Sequence, residues 1–166
     1  MAGFGEPGVD AVDGSGLVVG VVAARWHGEL TDHMLDRAVA AARTCGAADV
    51  VVARVAGSVE LPVVAQALAR RCDVVVALGV VVRGATAHFD YVCRSVTDGL
   101  TRVALDSGKP VAHGVLTVNT IEQARDRAGL PGSAEDKGWS ATVAAVEAAL
   151  AIREVSSAAS RPVGFR

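Results

Sequence analysis

The chain has 166 residues, a formal net charge of −2, and a composition that is 51% hydrophobic but only 4% aromatic. This length fits one domain with a full hydrophobic core, and the scattered basic residues do not indicate a nucleic-acid or membrane-surface partner. Alanine and valine supply more apolar mass than the interior of a small monomer needs, which suggests buried interfaces between subunits.

Targeting and metal-binding signals are missing from the sequence. No apolar stretch reaches the roughly 18 to 20 uncharged residues of a membrane helix, and the N-terminus lacks the basic-then-apolar pattern of a secretory signal. The three cysteines, Cys45, Cys72 and Cys93, are far apart and have no metal-ligand spacing. We therefore expect a cytoplasmic protein whose cysteines stay reduced and whose site contains no metal.

The two ends of the chain differ in composition from its middle. Residues 1–16 contain five glycines and a proline, a composition that predicts a flexible N-terminal arm. Residues 156–166 are predicted to form a flexible C-terminal tail. One domain is expected between them, over residues 17–155.

Four apolar runs of strand length occur in this domain, at residues 17–24, 49–55, 73–82 and 111–118. Continuous apolar runs are typical of strands that are buried on both faces of a parallel sheet. Helical spacing of apolar residues follows each run, at 29–45, 62–71, 86–106, 120–128 and 134–155. This alternation predicts a three-layer α/β/α flavodoxin-like sandwich with a four-stranded parallel sheet.

The corners that follow the strands should meet at one edge of the sheet, where ligands bind in such folds. The third corner, in the sequence GVVVRGATAHFDYV at 79–92, is the most informative. Thr86 occupies an N-cap position and Asp90 lies in the first helical turn. Free backbone N–H groups at this corner suit a phosphate. His88 either faces the same ligand or has no functional role.

Each of the other candidates has an ordinary structural alternative. Trp26 is either a packing aromatic or a stacking platform for a planar ligand. Residues 58–60 can be a turn that starts a helix, and 84–86 an ordinary turn. Arg127 and Lys137 can be solvated helix residues. The residues alone thus predict a domain that binds a planar, anionic or phosphate-bearing small molecule, and they leave the reaction open.

Four motifs narrow this prediction. They are GVVVRGATAHFDYV (79–92), GSVELP (57–62), GVLT (114–117) and DKG (136–138). With them the chain resembles the 6,7-dimethyl-8-ribityllumazine synthase family over residues 17–155. The resemblance implies condensation of 5-amino-6-(D-ribitylamino)uracil with 3,4-dihydroxy-2-butanone 4-phosphate, which is the penultimate step of riboflavin biosynthesis. It implies no metal and no redox cofactor.

The resemblance also implies a role for each motif residue. His88 would be the proton shuttle, and Lys137 matches a family lysine near the site. Phosphate would be held by Ala85, Thr86 and Arg127. The pyrimidine and ribityl groups would contact Trp26, Ser58, Val59, Glu60, Val80, Val81, Val82 and His113. Two positions depart from the common pattern: His113 replaces a frequent phenylalanine and Val82 a frequent isoleucine.

The family builds its sites between neighbouring subunits of a homopentamer. The resemblance implies His113 and Arg127 from one subunit, and Trp26 and His88 from the other. Some members assemble twelve pentamers into a shell, but the long segment GLPGSAEDKG (129–138) favours a free pentamer here. Two alternatives share the fold: a flavin- or lumazine-binding carrier, which would not need His88, and an inactive scaffold subunit, which would have a damaged site.

Overall fold

A parallel sheet in the order β2-β1-β3-β4 forms the middle layer of the computed structural model, which describes residues 10–159. All three pairs of neighbouring strands are parallel. The four strands lie within one residue of their predicted bounds, because each is a continuous apolar run. They are β1 (Val18–Ala24), β2 (Asp49–Val55), β3 (Val74–Val82) and β4 (Val111–Val118).

In the described part of the chain, five α-helices connect and cover these strands, and a short 3-10 turn at Ser58–Glu60 precedes the second helix. Helices α1 and α5 pack on one face of the sheet, and α2 and α3 pack on the other. The predicted three-layer α/β/α sandwich is therefore confirmed. The helices are α1 (Gly28–Thr44), α2 (Leu61–Ala69), α3 (His88–Ser107), α4 (Ile121–Arg125) and α5 (Lys137–Ala159).

Alternating side chains of the central strands build two separate cores. In β1, Val19 and Val21 point into the core under α1 and α5, whereas Val22 points into the core under α2 and α3. Successive residues of a strand face opposite sides of a sheet, so a run of valines fills both cores. Burying each valine contributes about 1.5 to 3 kcal/mol, and the carboxyl edge of the sheet is therefore a firm platform for a site.

Two helices begin two or more residues later than the sequence predicts. Helix α3 begins at His88, and the residue before it is Ala87, so the prediction that Thr86 caps this helix is wrong. Helix α5 begins at Lys137 instead of residue 134, directly after an isolated antiparallel bridge between Ala128 and Asp136. Asp136 then accepts the backbone N–H of Trp139 at 3.0 Å, as an N-cap residue does.

The two ends of the described chain differ: the N-terminal end packs against the domain, whereas residues 151–157 at the other end are exposed. Val12 contacts the core under α1 and α5, and the N–H of Gly14 donates to the carbonyl of Cys45 at 2.6 Å. Helix α5 runs to Ala159, beyond the predicted end at 155. Residues 1–9 of the predicted arm and 160–166 of the predicted tail lie outside the described residues. Within residues 10–159, no helix is both long and apolar enough to cross a bilayer.

Candidate active site

A cavity of about 430 Å³ lies at the carboxyl edge of the sheet, where β1, β2 and β3 end. Three of the four predicted corners meet in it, as the topology requires. Its walls are mainly apolar, with a few polar side chains at the rim, which is the usual make-up of a small-molecule site. The lining residues are Trp26, His27, Ala56, Gly57, Ser58, Val59, Glu60, Val80, Val81, Val82, Gly84, Thr86, His88, Phe89 and Val92.

The 3-10 turn is held against β3 by a glycine in the strand. A Cβ atom at Gly79 would lie 2.7 Å from Ser58 Oγ and 3.2 Å from Leu61 Cδ1. The missing side chain lets the turn approach the strand closely and buries Ser58. Glu60 closes the turn, because its carboxylate accepts the Gly57 N–H at 2.8 Å. The sequence therefore fixes a carboxylate at the rim of the cavity.

The first corner places two rings at the rim. The indole of Trp26 is 69% exposed, which leaves a large aromatic face available to a planar ligand. The imidazole of His27 lies edge-on to it, with ring centroids 6.4 Å apart. His27 has φ 56° and ψ 50°, the left-handed conformation that a non-glycine residue adopts only rarely. Sequence reasoning missed His27 as a cavity residue, although its position beside Trp26 was a usable signal.

The third corner is held by Arg83, another residue that sequence reasoning missed. Its guanidinium donates to both carboxylate oxygens of Asp90, at 2.9 and 3.3 Å, and to Asn119 Oδ1 at 3.1 Å. It also lies 4.1 Å from the ring centroid of Phe89. The hydrogen bond with Asp90 raises the pKa of Arg83. The corner is thus tied to both α3 and the end of β4.

This corner presents Thr86 and His88 to the cavity at the start of the 20-residue helix α3. The unpaired N–H groups and positive dipole end of a long helix favour a bound anion. Ala85 lies between two lining residues but does not itself line the cavity. Phosphate contact through the backbone of Ala85 remains a prediction.

Besides Ala85, three predicted site residues do not line the cavity: His113, Arg127 and Lys137. His113 lies on the edge strand β4, and its Nε2 is 3.2 Å from Thr97 Oγ1 of α3. More than a third of its surface is exposed. The protein around the ring nevertheless desolvates it enough to lower the pKa of His113.

Arg127 and Lys137 lie together beside Glu135. The Oε1 atom of Glu135 is 3.5 Å from Arg127 Nε, and its Oε2 atom is 3.5 Å from Lys137 Nζ. Arg127 Nη1 also donates to the carbonyl of Gln123 at 2.9 Å. The chain therefore has a cluster of two cations and one carboxylate apart from its own cavity. Across residues 10–159, no three His, Cys, Asp or Glu side chains are grouped as a metal site.

Comparison with known proteins gives consistent results. The family model described as 6,7-dimethyl-8-ribityllumazine synthase matches residues 16–153. The chain is similar to a 6,7-dimethyl-8-ribityllumazine synthase of Salinispora arenicola, with 83% identity over 165 residues and 99% of each chain covered. It is 60% identical to the synthase of Thermobifida fusca (95% of this chain, 92% of the relative) and 55% identical to that of Mycolicibacterium gilvum (95% and 99%).

Proposed function

Since the chain belongs to the 6,7-dimethyl-8-ribityllumazine synthase family, we propose that it condenses 5-amino-6-(D-ribitylamino)uracil with 3,4-dihydroxy-2-butanone 4-phosphate. The products are 6,7-dimethyl-8-ribityllumazine, inorganic phosphate and water, as in the penultimate step of riboflavin biosynthesis. One observation carries the proposal for the site: an aromatic platform, a rim carboxylate, a helix N-terminus and a histidine line a single cavity.

Different cavity residues are suited to bind the ring and the ribityl chain of the aminouracil. The apolar walls at Val81 and Val82 and the exposed indole of Trp26 suit the two faces of the pyrimidine ring. The carboxylate of Glu60 can accept hydrogen bonds from ribityl hydroxyls, and such charge-assisted bonds are strong. Ser58 and Val59 stand beside Glu60 on the same turn and complete this part of the wall.

The reaction needs positioning and one proton carrier. The 5-amino group attacks the ketone and loses water to form an imine, and proton removal then expels inorganic phosphate. Loss of phosphate leaves an enol, which tautomerises to a new ketone. The ribitylamino nitrogen attacks this carbonyl, and loss of a second water completes the ring. His88 is suited to carry these protons, because it lies at the cavity beside the proposed phosphate site at Thr86. Fixed orientation of two reactants can supply about 7 kcal/mol or more.

The phosphate clamp Arg127, with Lys137 as an accessory cation, comes from a second copy of the chain in this proposal, as does His113 of the pyrimidine and ribityl site. Arg127, His113 and Lys137 do not line the cavity of their own chain, and the family implies an oligomeric assembly. Exposed apolar side chains on α2 and α3, among them Val63, Tyr91 and Leu105, provide surface for subunit contacts. We propose a cytoplasmic homopentamer with sites between subunits, and the long 129–138 segment favours a free pentamer over a shell.

Mixing the purified protein with both substrates and following lumazine fluorescence tests the proposal. We expect product formation far above the uncatalysed rate. Arg127→Ala should lower kcat/KM by about 100-fold or more, because the anion loses a charged partner in the transition state. His88→Ala should lower kcat/KM by a smaller factor, because the cavity still positions the two substrates. Arg43→Ala, an exposed arginine at the end of α1, is the matched control and should leave the rate unchanged.

The opposite outcome is equally informative. Product no faster than the uncatalysed background would contradict the synthase proposal. A yellow chromophore that copurifies with such an inactive protein would instead support a flavin- or lumazine-binding carrier.

A further inference from the structure

The segment between α4 and α5 holds three charged side chains in a fixed arrangement. Its two arms run antiparallel: the N–H of Glu135 donates to the Asp126 carbonyl, and that of Lys137 donates to the Arg127 carbonyl, both at 3.0 Å. The Gly129 N–H donates to the Glu135 carbonyl, also at 3.0 Å. Arg127 and Lys137 are therefore neighbours on adjacent arms, and the backbone fixes Glu135 beside both.

The carboxylate of Glu135 is the most buried member of this cluster. Its side chain is 13% exposed, against 31% for Arg127 and 25% for Lys137. Its Oε2 atom is buried and has no hydrogen-bond partner among the described residues. A buried carboxylate oxygen without a hydrogen bond is costly, so the presence of this carboxylate calls for a reason beyond packing.

The ion pairs around Glu135 are loose. Both contacts measure 3.5 Å, whereas a strong charge-assisted N–H to carboxylate bond measures about 2.7 to 2.9 Å. Arg127 thus keeps donor capacity for a second anion beside Lys137. Glu135 lowers the net charge of the three side chains from two positive units to one.

We propose that Glu135 is a resident counter-ion that competes with phosphate for Arg127 and Lys137 and keeps phosphate binding weak. This inference rests on the proposed function in assigning the phosphate to these two cations. Because a carboxylate is already in place, inorganic phosphate dissociates readily from the site after the reaction has formed it. The same carboxylate keeps the two cations ordered while the site is empty. Tight retention of a product would otherwise limit turnover. Glu135 is therefore a positioning residue that sets phosphate affinity.

The direct test is the affinity for inorganic phosphate, measured by calorimetry on the full assembled protein without turnover. Glu135→Gln keeps the side-chain shape and removes the charge. We expect phosphate to bind about five- to tenfold more tightly to this variant, an effect of the size that partly screened charges a few ångströms apart produce. In turnover, inorganic phosphate should inhibit at a correspondingly lower concentration.

Asp126→Asn is the matched control. It also removes one negative charge near Arg127, at 4.0 Å from Nη1, but Asp126 is half exposed. Water screens an exposed charge of this kind, so we expect phosphate affinity to change by less than about twofold. Glu135→Asp retains the charge and should keep phosphate affinity near the wild-type value, which separates charge from side-chain packing.

Glu135→Met covers the case in which the glutamine variant does not fold, because it removes the charge without placing an unpaired amide at the buried position. Unchanged or weaker phosphate binding in a folded, charge-removed variant would overturn the inference. The two proposals fail in different ways. Tighter phosphate binding without lumazine formation would contradict the reaction and support the role of Glu135, whereas lumazine formation with unchanged phosphate affinity would contradict only that role.

Discussion

The cavity and the cluster of Arg127, Lys137 and Glu135, here called the cation cluster, come from different parts of the chain. Every residue that lines the cavity lies between Trp26 and Val92, whereas His113, Arg127 and Lys137 lie on β4 or beyond it. The cavity is concave and mainly apolar, with one carboxylate at its rim, and the cluster carries a net positive charge. The first region suits a planar ring and includes the helix N-terminus proposed to bind phosphate, and the second offers cations that suit the same phosphate. A single copy of the chain holds both regions but does not join them.

Mixed oligomers test this separation and carry the largest expected effect. The double variant Trp26→Ala/His88→Ala damages the cavity, and Arg127→Ala damages the cluster. Each alone should be nearly inactive. If sites form between neighbours, random mixing of the two chains in coexpressed oligomers should leave about a quarter of the sites fully intact. Lumazine formation should therefore recover to about a quarter of the wild-type rate.

The controls for this experiment are oligomers of each variant alone, at the same total concentration. Mass spectrometry of the intact oligomers establishes that the two chains have mixed. Mixed oligomers without recovered activity would contradict a shared site, and they would place all essential groups within one copy of the chain.

A pair of glycine substitutions compares the stability of the two regions. A Cβ at Gly138, beside Lys137, would lie 2.3 Å from the backbone oxygen of Met34, so α1 and α5 would have to separate. A Cβ at Gly79, under the cavity, would chiefly meet the hydroxyl of Ser58, which can move. We expect Gly138→Ala to lower the free energy of unfolding by about 2 to 3 kcal/mol and Gly79→Ala by about 1 kcal/mol.

Urea unfolding at one protein concentration measures both changes. Gly84→Ala is the control, because a Cβ there would have no atom within 4 Å, and its stability should stay within about 0.5 kcal/mol of the wild type. Gly138→Ala should also raise KM for the butanone phosphate more than Gly79→Ala does. Equal losses in the free energy of unfolding of Gly138→Ala and Gly79→Ala would contradict the idea that α5 is anchored more rigidly than the turn at 58–60.

The sequence predicts the sheet well because each strand is a continuous apolar run that needs no tertiary information. Helix starts are harder to predict. Thr86 has the chemistry of a cap, yet α3 begins two residues later. The start of α5 depends on a bridge between Ala128 and Asp136, which no local pattern encodes. Boundaries set by contacts between distant residues therefore escape a reading of local propensity.

The same distinction holds for the site. Trp26, Thr86 and His88 meet because strand ends converge in any parallel sheet, and position in the chain alone predicts this. The left-handed backbone of His27 and the burial of Glu135 depend on side-chain packing, so spacing cannot reveal them. Position likewise places Arg127 after β4 but does not show whether it lines the cavity of its own chain.

His113 provides the smallest expected effect, through the pH dependence of stability. Because burial lowers the pKa of His113 below its ordinary value of 6.5, the unfolded chain takes up a proton before the folded chain does. The contribution of the neutral His113 ring to the free energy of unfolding is fully present above about pH 6.5. It is lost as the pH falls toward the lowered pKa. The free energy of unfolding should then drop more steeply between pH 7 and pH 5 in the wild type than in His113→Gln.

Above pH 7.5 the ring is neutral in both the folded and the unfolded chain. The free energies of unfolding of the wild type and His113→Gln should therefore change with pH in the same way there, and this range is the internal control. The effect should be small because more than a third of His113 is exposed. A steeper loss in His113→Gln would mean that the folded assembly binds the proton more tightly than the unfolded chain. His113 would then face an anionic group of a neighbouring copy, such as the rim carboxylate of Glu60, and the cavity and β4 would be in contact across the subunit boundary.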